Sequence, residues 1–204
     1  MPIANINTSY NKSINDIGLI STYMAGCSDL ESRYQYMISE VVMLRLFSIL
    51  ETVIGEMALK FACGALYRNG NSPNTHISCS SMGDATSKML SHNRGNKPMQ
   101  YLKWTNARDI KKSIKYTLDV GDKFYANVQN HSSLIDEMRK IRNHVAHRNS
   151  GTARDYYQVL RVTYGGNPKI PIGAFLTSKS RNPIPNINRY LLSVPVILND
   201  ISNG

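Results

Sequence analysis

From Ser28 onward the apolar residues of this chain fall at helical spacing. Leu30, Tyr34, Met37, Val41 and Leu44 recur three and four residues apart, and a second row runs through Leu46, Leu50, Val53, Met57 and Phe61. Ser28-Asp29-Leu30-Glu31 has the form of a capping box opening this helix. Two rows leave much of the circumference apolar, the mark of a helix buried in a core or in a subunit interface. Unbroken to Tyr67 it would run about 58 Å at 1.5 Å per residue, too long for a compact domain of this size, so a bend or protrusion is expected.

Upstream, residues 1–27 are rich in Asn, Ser and Gly, with a weak apolar patch at Ile17–Ile20. They read as an irregular arm with at most one helical turn. Downstream, Asn69-Gly70-Asn71-Ser72-Pro73-Asn74 marks a loop, Asp84 to Ser91 a short helix, and Asn93-Arg94-Gly95-Asn96-Lys97-Pro98 a second break. Asn106-Ala107-Arg108-Asp109 caps a helix with Ile110, Ile114 and Leu118 inward. Ser133-Leu134-Ile135-Asp136 caps another with the stripe Leu134, Met138, Ile141, Val145. Thr152-Ala153-Arg154-Asp155 repeats the pattern ahead of Tyr156, Val159, Leu160 and Thr163, and Gly165-Gly166-Asn167-Pro168 ends that element. Residues 165–189 read as an irregular basic loop carrying Lys169, Lys179, Arg181 and Arg189. Leu191, Val194, Leu198 and Ile201 suggest a last short helix, with Pro195 and the β-branched residues leaving a strand open. The expected fold is all-α, a helical bundle with a long central helix and irregular basic loops. Its single domain covers 28–204 after the arm.

Composition adds a direction to this picture. A chain of 204 residues that is 42% hydrophobic suits one domain and buries roughly 70% of its unfolded surface. The net charge of +10 is unevenly placed: residues 1–70 hold five Lys/Arg against six Asp/Glu, and residues 71–204 hold nineteen against eight. The first third reads as scaffold and the rest as a surface for a polyanion. Cys27, Cys63 and Cys79 form no CxxC pair, which argues against a disulfide framework and for a reducing compartment. With no signal pattern at the N-terminus and no run near the roughly 20 apolar residues of a membrane span, a cytoplasmic protein is expected.

The chemistry concentrates at Arg139-Lys140-Ile141-Arg142-Asn143-His144-Val145-Ala146-His147-Arg148-Asn149. An arginine, an imidazole and an amide this close together are what phosphodiester cleavage requires. Their geometry sets a condition, because at 100° per residue Arg142 and His147 diverge by about 140° on one ideal helix. They share a phosphate only if the helix distorts or ends near Ala146, or if a second copy supplies a symmetric partner. His144 and His147 have no carboxylate nearby in sequence to complete a metal site, so no metal or other cofactor is expected. Lys103, Arg108, Lys111, Lys112 and Lys115, interleaved with Tyr101, Trp104 and Tyr116, form a candidate RNA-binding segment, since cations bind phosphates and aromatics stack on unpaired bases. The same residues also suit a solvated basic face over core aromatics. Glu51 lies in the apolar zone of the long helix and either pairs at the core edge or holds an active-site arginine.

Arg142-Asn143-His144-Val145-Ala146-His147 resembles the signature of the HEPN superfamily, an arginine, usually followed by a polar residue, with four to six residues before a histidine. The basic helix leading in, the polar turn after and the next helix with Tyr156, Val159 and Leu160 fit the same pattern. Leu46-Phe47-Ser48-Ile49-Leu50-Glu51 resembles the long-helix segment of bacterial members. The resemblance spans residues 28–201; the extended basic tail lies outside the minimal four-helix unit. It implies a bundle that dimerises so that two Arg/His motifs face one cleft, and a metal-independent endoribonuclease of toxin–antitoxin or anti-phage defence systems, with an antitoxin or sensor as a further partner. In that frame His147 is the acid/base, Arg142 stabilises the transition state and Asn143 orients the phosphate or the histidine. His144 is a secondary catalytic candidate, and Arg139 and Arg148 bind the RNA backbone. A non-catalytic RNA- or nucleotide-binding module and a dimeric scaffold are the alternatives.

Overall fold

The computed structural model describes residues 5–92, 101–166 and 168–204. The break at Asn93–Pro98 and Asn167 of the Gly165–Pro168 stop lie outside the described residues. Among them the architecture is all-α: α1 (Ile6–Ala25), α2 (Ser32–Ala62), α3 (Met82–His92), α4 (Ala107–Ile114), α5 (Lys123–Asn130), α6 (Ser132–His147), α7 (Ser150–Tyr164), α8 (Ile172–Thr177) and α9 (Asn186–Asn203). The only β pairing among these residues is an isolated bridge between Thr75 and Leu118. No described helix is long and apolar enough to cross a membrane.

The expected irregular arm is instead a 20-residue helix. Ile6, Ser9, Ser13, Ile17 and Ile20 are its buried positions, and two of these five are serines. The stripe is therefore invisible to a search for apolar residues. Ser13 gives its proton to the Tyr10 carbonyl at 2.6 Å and Ser9 to Glu56 at 2.7 Å, which is how hydroxyls are tolerated there.

The long helix is shorter than its pattern. α2 has 31 residues, about 46 Å. It starts at Ser32 because the Ser28 hydroxyl donates to the Asp29 carboxylate rather than capping backbone N–H groups. It stops before Gly64, whose φ of 85° belongs to the left-handed region. Its second apolar row (Leu46, Leu50, Val53, Met57, Phe61) is buried as expected, whereas Tyr34, Met37 and Val41 of the first row are exposed.

Two short helices were not foreseen: α5, in a segment with no predicted element, and α8, inside the segment read as an irregular loop. α5 has eight residues with only Phe124 and Val128 buried, and Asp122 caps it by accepting from Phe124 N. α8 has six, follows Pro171, and buries Ile172, Gly173, Phe175 and Leu176, so the segment 165–189 is not irregular throughout. α4 starts as read, with Asn106 accepting from Asp109 N at 2.9 Å. α7 is capped not by Thr152 but by Asn149, with Thr152 at the third helical position of a reciprocal capping box. α9 is helical through Pro195 over 18 residues, longer than the short helix expected.

The chain groups into two compact units. The first comprises Met1–Ile14, Leu50–Ile135 and Val196–Gly204. In its core Phe61 packs on Tyr67 and edge-on against Phe124, at 4.4 and 5.7 Å between centroids. Asp122 ties this core to its loops: Tyr67 donates to it, and so does Asn74 N at 2.8 Å. Burial first, then this carboxylate, push the Tyr67 phenol far above its ordinary range. Trp104 lies against Gly55 so closely that a Cβ there would sit 2.7 Å from the indole, so this aromatic is packing rather than a stacking platform.

The second unit comprises Asn15–Ile49 and Asp136–Pro195. Phe175 receives Tyr156 and Tyr164 edge-on, at 5.9 and 6.3 Å. Gly173 brings α8 against α2, where a Cβ would meet Tyr36 Cβ at 2.4 Å. Glu137 on α6 accepts from both Arg189 and the buried Tyr190 hydroxyl on α9. α6, the carrier of the motif, belongs to this unit from Asp136 on.

Candidate active site

α6 exists because Ile135, Met138 and Ile141 recur at helical spacing and are fully buried. The buried stripe is thus one residue off the expected start at Leu134, and both Leu134 and Val145 are only half-buried. The helix ends at His147. Arg148 follows with a φ of 43°, its N–H still reaching the His144 carbonyl at 3.1 Å. A left-handed residue with a Cβ costs about 1–2 kcal/mol, and Arg148 is the only described non-glycine in that region. Its guanidinium pairs with Glu40 of α2, and Asn149 starts α7 at once.

Arg142 and His147 both lie inside α6, so the helix end leaves their divergence of about 140° intact within one chain. Arg142 is half-buried and its guanidinium carbon sits 4.7 Å over the buried Phe47 ring, a cation–π contact that holds it against α2. His147 is exposed. Asn143, four residues before it, shares its face of the helix, as does Arg139. Arg139 is committed to Asp136 through two N–H groups at 2.7 and 2.9 Å, and Lys140 reaches the other carboxylate oxygen at 2.9 Å. Burial alone would raise the Asp136 carboxyl, but Lys140 and Arg139 outweigh it and hold it below the ordinary range.

His144 is the better-held imidazole. Its ring stacks on Tyr156 at 5.1 Å and 18°, and Nδ1 lies 3.2 Å from Thr152 Oγ1. That hydroxyl also faces the Asn149 carbonyl at 3.1 Å and accepts from Asn149 N at 3.2 Å. With its one proton on the Asn149 carbonyl, Thr152 must accept from His144 Nδ1–H, which leaves Nε2 as a free base. Burial first, then the neighbouring Arg148, lower the proton affinity of this ring, against a smaller pull from Glu40.

The folded protein binds the His144 proton less readily than the unfolded chain, so the contribution is present above the ordinary value of 6.5 and is lost as pH falls through the lowered folded value. Between about pH 7.5 and about pH 5 the melting temperature of a His144→Gln variant should fall less than that of the native protein. Equal falls would show that the ring does not couple to folding.

The remaining expected residues are placed in the first unit. Lys103, Arg108, Lys111, Lys112 and Lys115 are all exposed. Lys103 lies 5.6 Å from Tyr101, Lys111 5.6 Å from Tyr125 and Lys115 5.2 Å from Tyr116. Glu51 is half-buried on α2, also in that unit. Sequence reasoning missed Phe47 behind Arg142, Glu40 beside Arg148, and the Thr152–Tyr156 cradle of His144. Asn149-x-x-Thr152 was a legible signal for the last, being a capping pattern two residues after the motif. Among the described residues no group of three or more His, Cys, Asp or Glu side chains comes together. The chain matches no family model, no curated protein and no solved structure.

Proposed function

We propose that this protein is a metal-independent endoribonuclease of HEPN type, working as a homodimer whose two α6 helices frame one cleft. The observation that carries the reading is the end of α6: an arginine backed by an aromatic ring, an amide and an exposed imidazole occupy one turn and a half before a strained, charged corner. The ribose supplies its own nucleophile. His147 takes the 2′-OH proton or returns one to the 5′-oxygen, Arg142 neutralises the nonbridging oxygens as charge builds on phosphorus, and Asn143 orients the group between them. The products are a 2′,3′-cyclic phosphate and a 5′-hydroxyl. Incubation with RNA in EDTA followed by end-group analysis tests this; 3′-phosphate-free, 5′-phosphorylated ends or no cleavage would overturn it.

The second copy enters because Arg142 and His147 diverge on one helix. The same unit carries an exposed apolar row on α2: Tyr34, Met37 and Val41, at 45%, 65% and 63% exposure, spaced to line one seam. Light scattering should find two chains per particle. Met37→Glu should release single chains and take cleavage with it, whereas a native monomer that cleaves RNA would remove the composite cleft. A toxin–antitoxin or anti-phage setting, with an antitoxin or sensor partner in the cytoplasm, follows from the resemblance.

One observation favours a second reading. Of the five exposed cations at 103–115, Lys103, Lys111 and Lys115 sit beside Tyr101, Tyr125 and Tyr116, an arrangement suited to holding RNA without cleaving it. That module would bind RNA in a salt-dependent way, indifferent to His147.

A further inference from the structure

α7 begins at Ser150, three residues after His147 has ended α6, and its outer face is a groove. The cavity there measures about 720 Å³, within the range of sites that hold a small molecule or a segment of polymer. Ser150, Arg154, Tyr157 and Arg161 line it from α7, at spacings of four, three and four that place them along one side of the helix, and Lys169 closes it from the following loop. Among the described lining residues there is no carboxylate. Arg161 is engaged within the fold, so Arg154 and Lys169, both exposed, carry the positive charge. The first turn of α7 adds the positive end of a 15-residue helix at the same mouth. Tyr157, in the same lining, presents 43% of its surface to solvent.

We infer that this groove binds a segment of single-stranded RNA, its phosphates on Arg154 and Lys169 and an unpaired base on the Tyr157 ring. A polyanion alone would need only the cations. An aromatic face in the same groove, about one helical turn from Arg154, is the arrangement by which unpaired bases are read in single strands. The inference takes its ligand class from the RNA reading above but not from cleavage. None of its residues belongs to the Arg142–His147 motif, nor to the 103–115 segment.

The test measures binding of a fluorescent single strand with a 2′-O-methyl group at every sugar, which keeps bases and phosphates but has no nucleophile to cleave itself. Against rising salt, the doubly substituted Arg154→Gln, Lys169→Gln protein should lose about 1.4 from the slope of log affinity on log salt, at about 0.7 per phosphate contact. The native protein should prefer a strand with bases to an abasic strand about tenfold, and Tyr157→Ala should lose most of that preference while Tyr157→Phe keeps it. An unchanged slope and an unchanged base preference in proteins that still bind RNA would overturn the groove and leave the ribonuclease reading standing. Poly-glutamate competing as well as unlabelled RNA would also overturn it, since charge alone would then explain the groove. Native protein that binds no RNA at all would take both down together.

Discussion

His147→Ala is expected to slow RNA cleavage by about 10²- to 10⁴-fold, the usual contribution of a positioned acid/base, while leaving the fold as it is. The side chain is exposed and at the last position of α6, so its truncation removes no packing. Arg142→Ala is a less clean experiment. Its guanidinium covers the Phe47 ring, and its loss exposes that ring as well as removing the charge. Arg142→Lys keeps a cation but gives up the planar donor pair that suits two phosphate oxygens, so it should keep stability and still cleave slowly. His144→Gln separates the two imidazoles. If it abolishes cleavage and His147→Ala does not, the acid/base is the ring cradled by Thr152 and Tyr156, and the assignment to His147 fails.

Gly173→Ala is expected to give the largest loss of stability of any single methyl group in the second unit. A Cβ at Gly173 would lie 2.4 Å from Tyr36 Cβ and 2.8 Å from Tyr36 Cα. The near neighbours are thus the Cβ and the backbone of Tyr36 on α2, which cannot swing aside as the far end of a side chain can. Overpacking of this kind costs about 1–3 kcal/mol and occasionally more. For a chain of this size that is a fall of about 2–12 °C in melting temperature. Gly18, exposed on α1 with nothing within 4 Å of its Cβ position, provides the opposite control: Gly18→Ala should raise stability by about 1 kcal/mol. A Gly173→Ala protein that melts with the native one would mean that α8 does not rest on α2 as described.

What could be read from the chain and what could not divides along physical lines. α4 was legible because Asn106 caps it by its own side chain and Ile110 and Ile114 follow at the right spacing; every signal is local. α1 was not, because the buried face that makes it a helix is built partly of Ser9 and Ser13, whose hydroxyls find partners only once folded. α8 was missed because six residues hold fewer than two turns and no period can show. The exposed first row of α2 shows that apolar spacing predicts a helix better than it predicts which face is covered. Arg142, Asn143 and His147 fall within six residues and could be proposed as a site from the sequence alone. Glu40 beside Arg148 could not, since 108 residues separate them and only the fold brings them together.

The Thr152 hydroxyl has one proton to give and three polar neighbours. It closes the capping box of α7 with Asn149 and is the only hydrogen-bond partner of His144 Nδ1 among the described residues. The tautomer of a ring on one helix is therefore set by whether the first turn of the next helix is wound. When that turn frays, Nδ1 loses its acceptor and the two ring nitrogens become equivalent claimants for the proton. The imidazole of His144 is in this sense a reporter on the winding of α7, and the corner at Arg148–Asn149 is the joint through which an order–disorder event in one helix becomes a proton position in another.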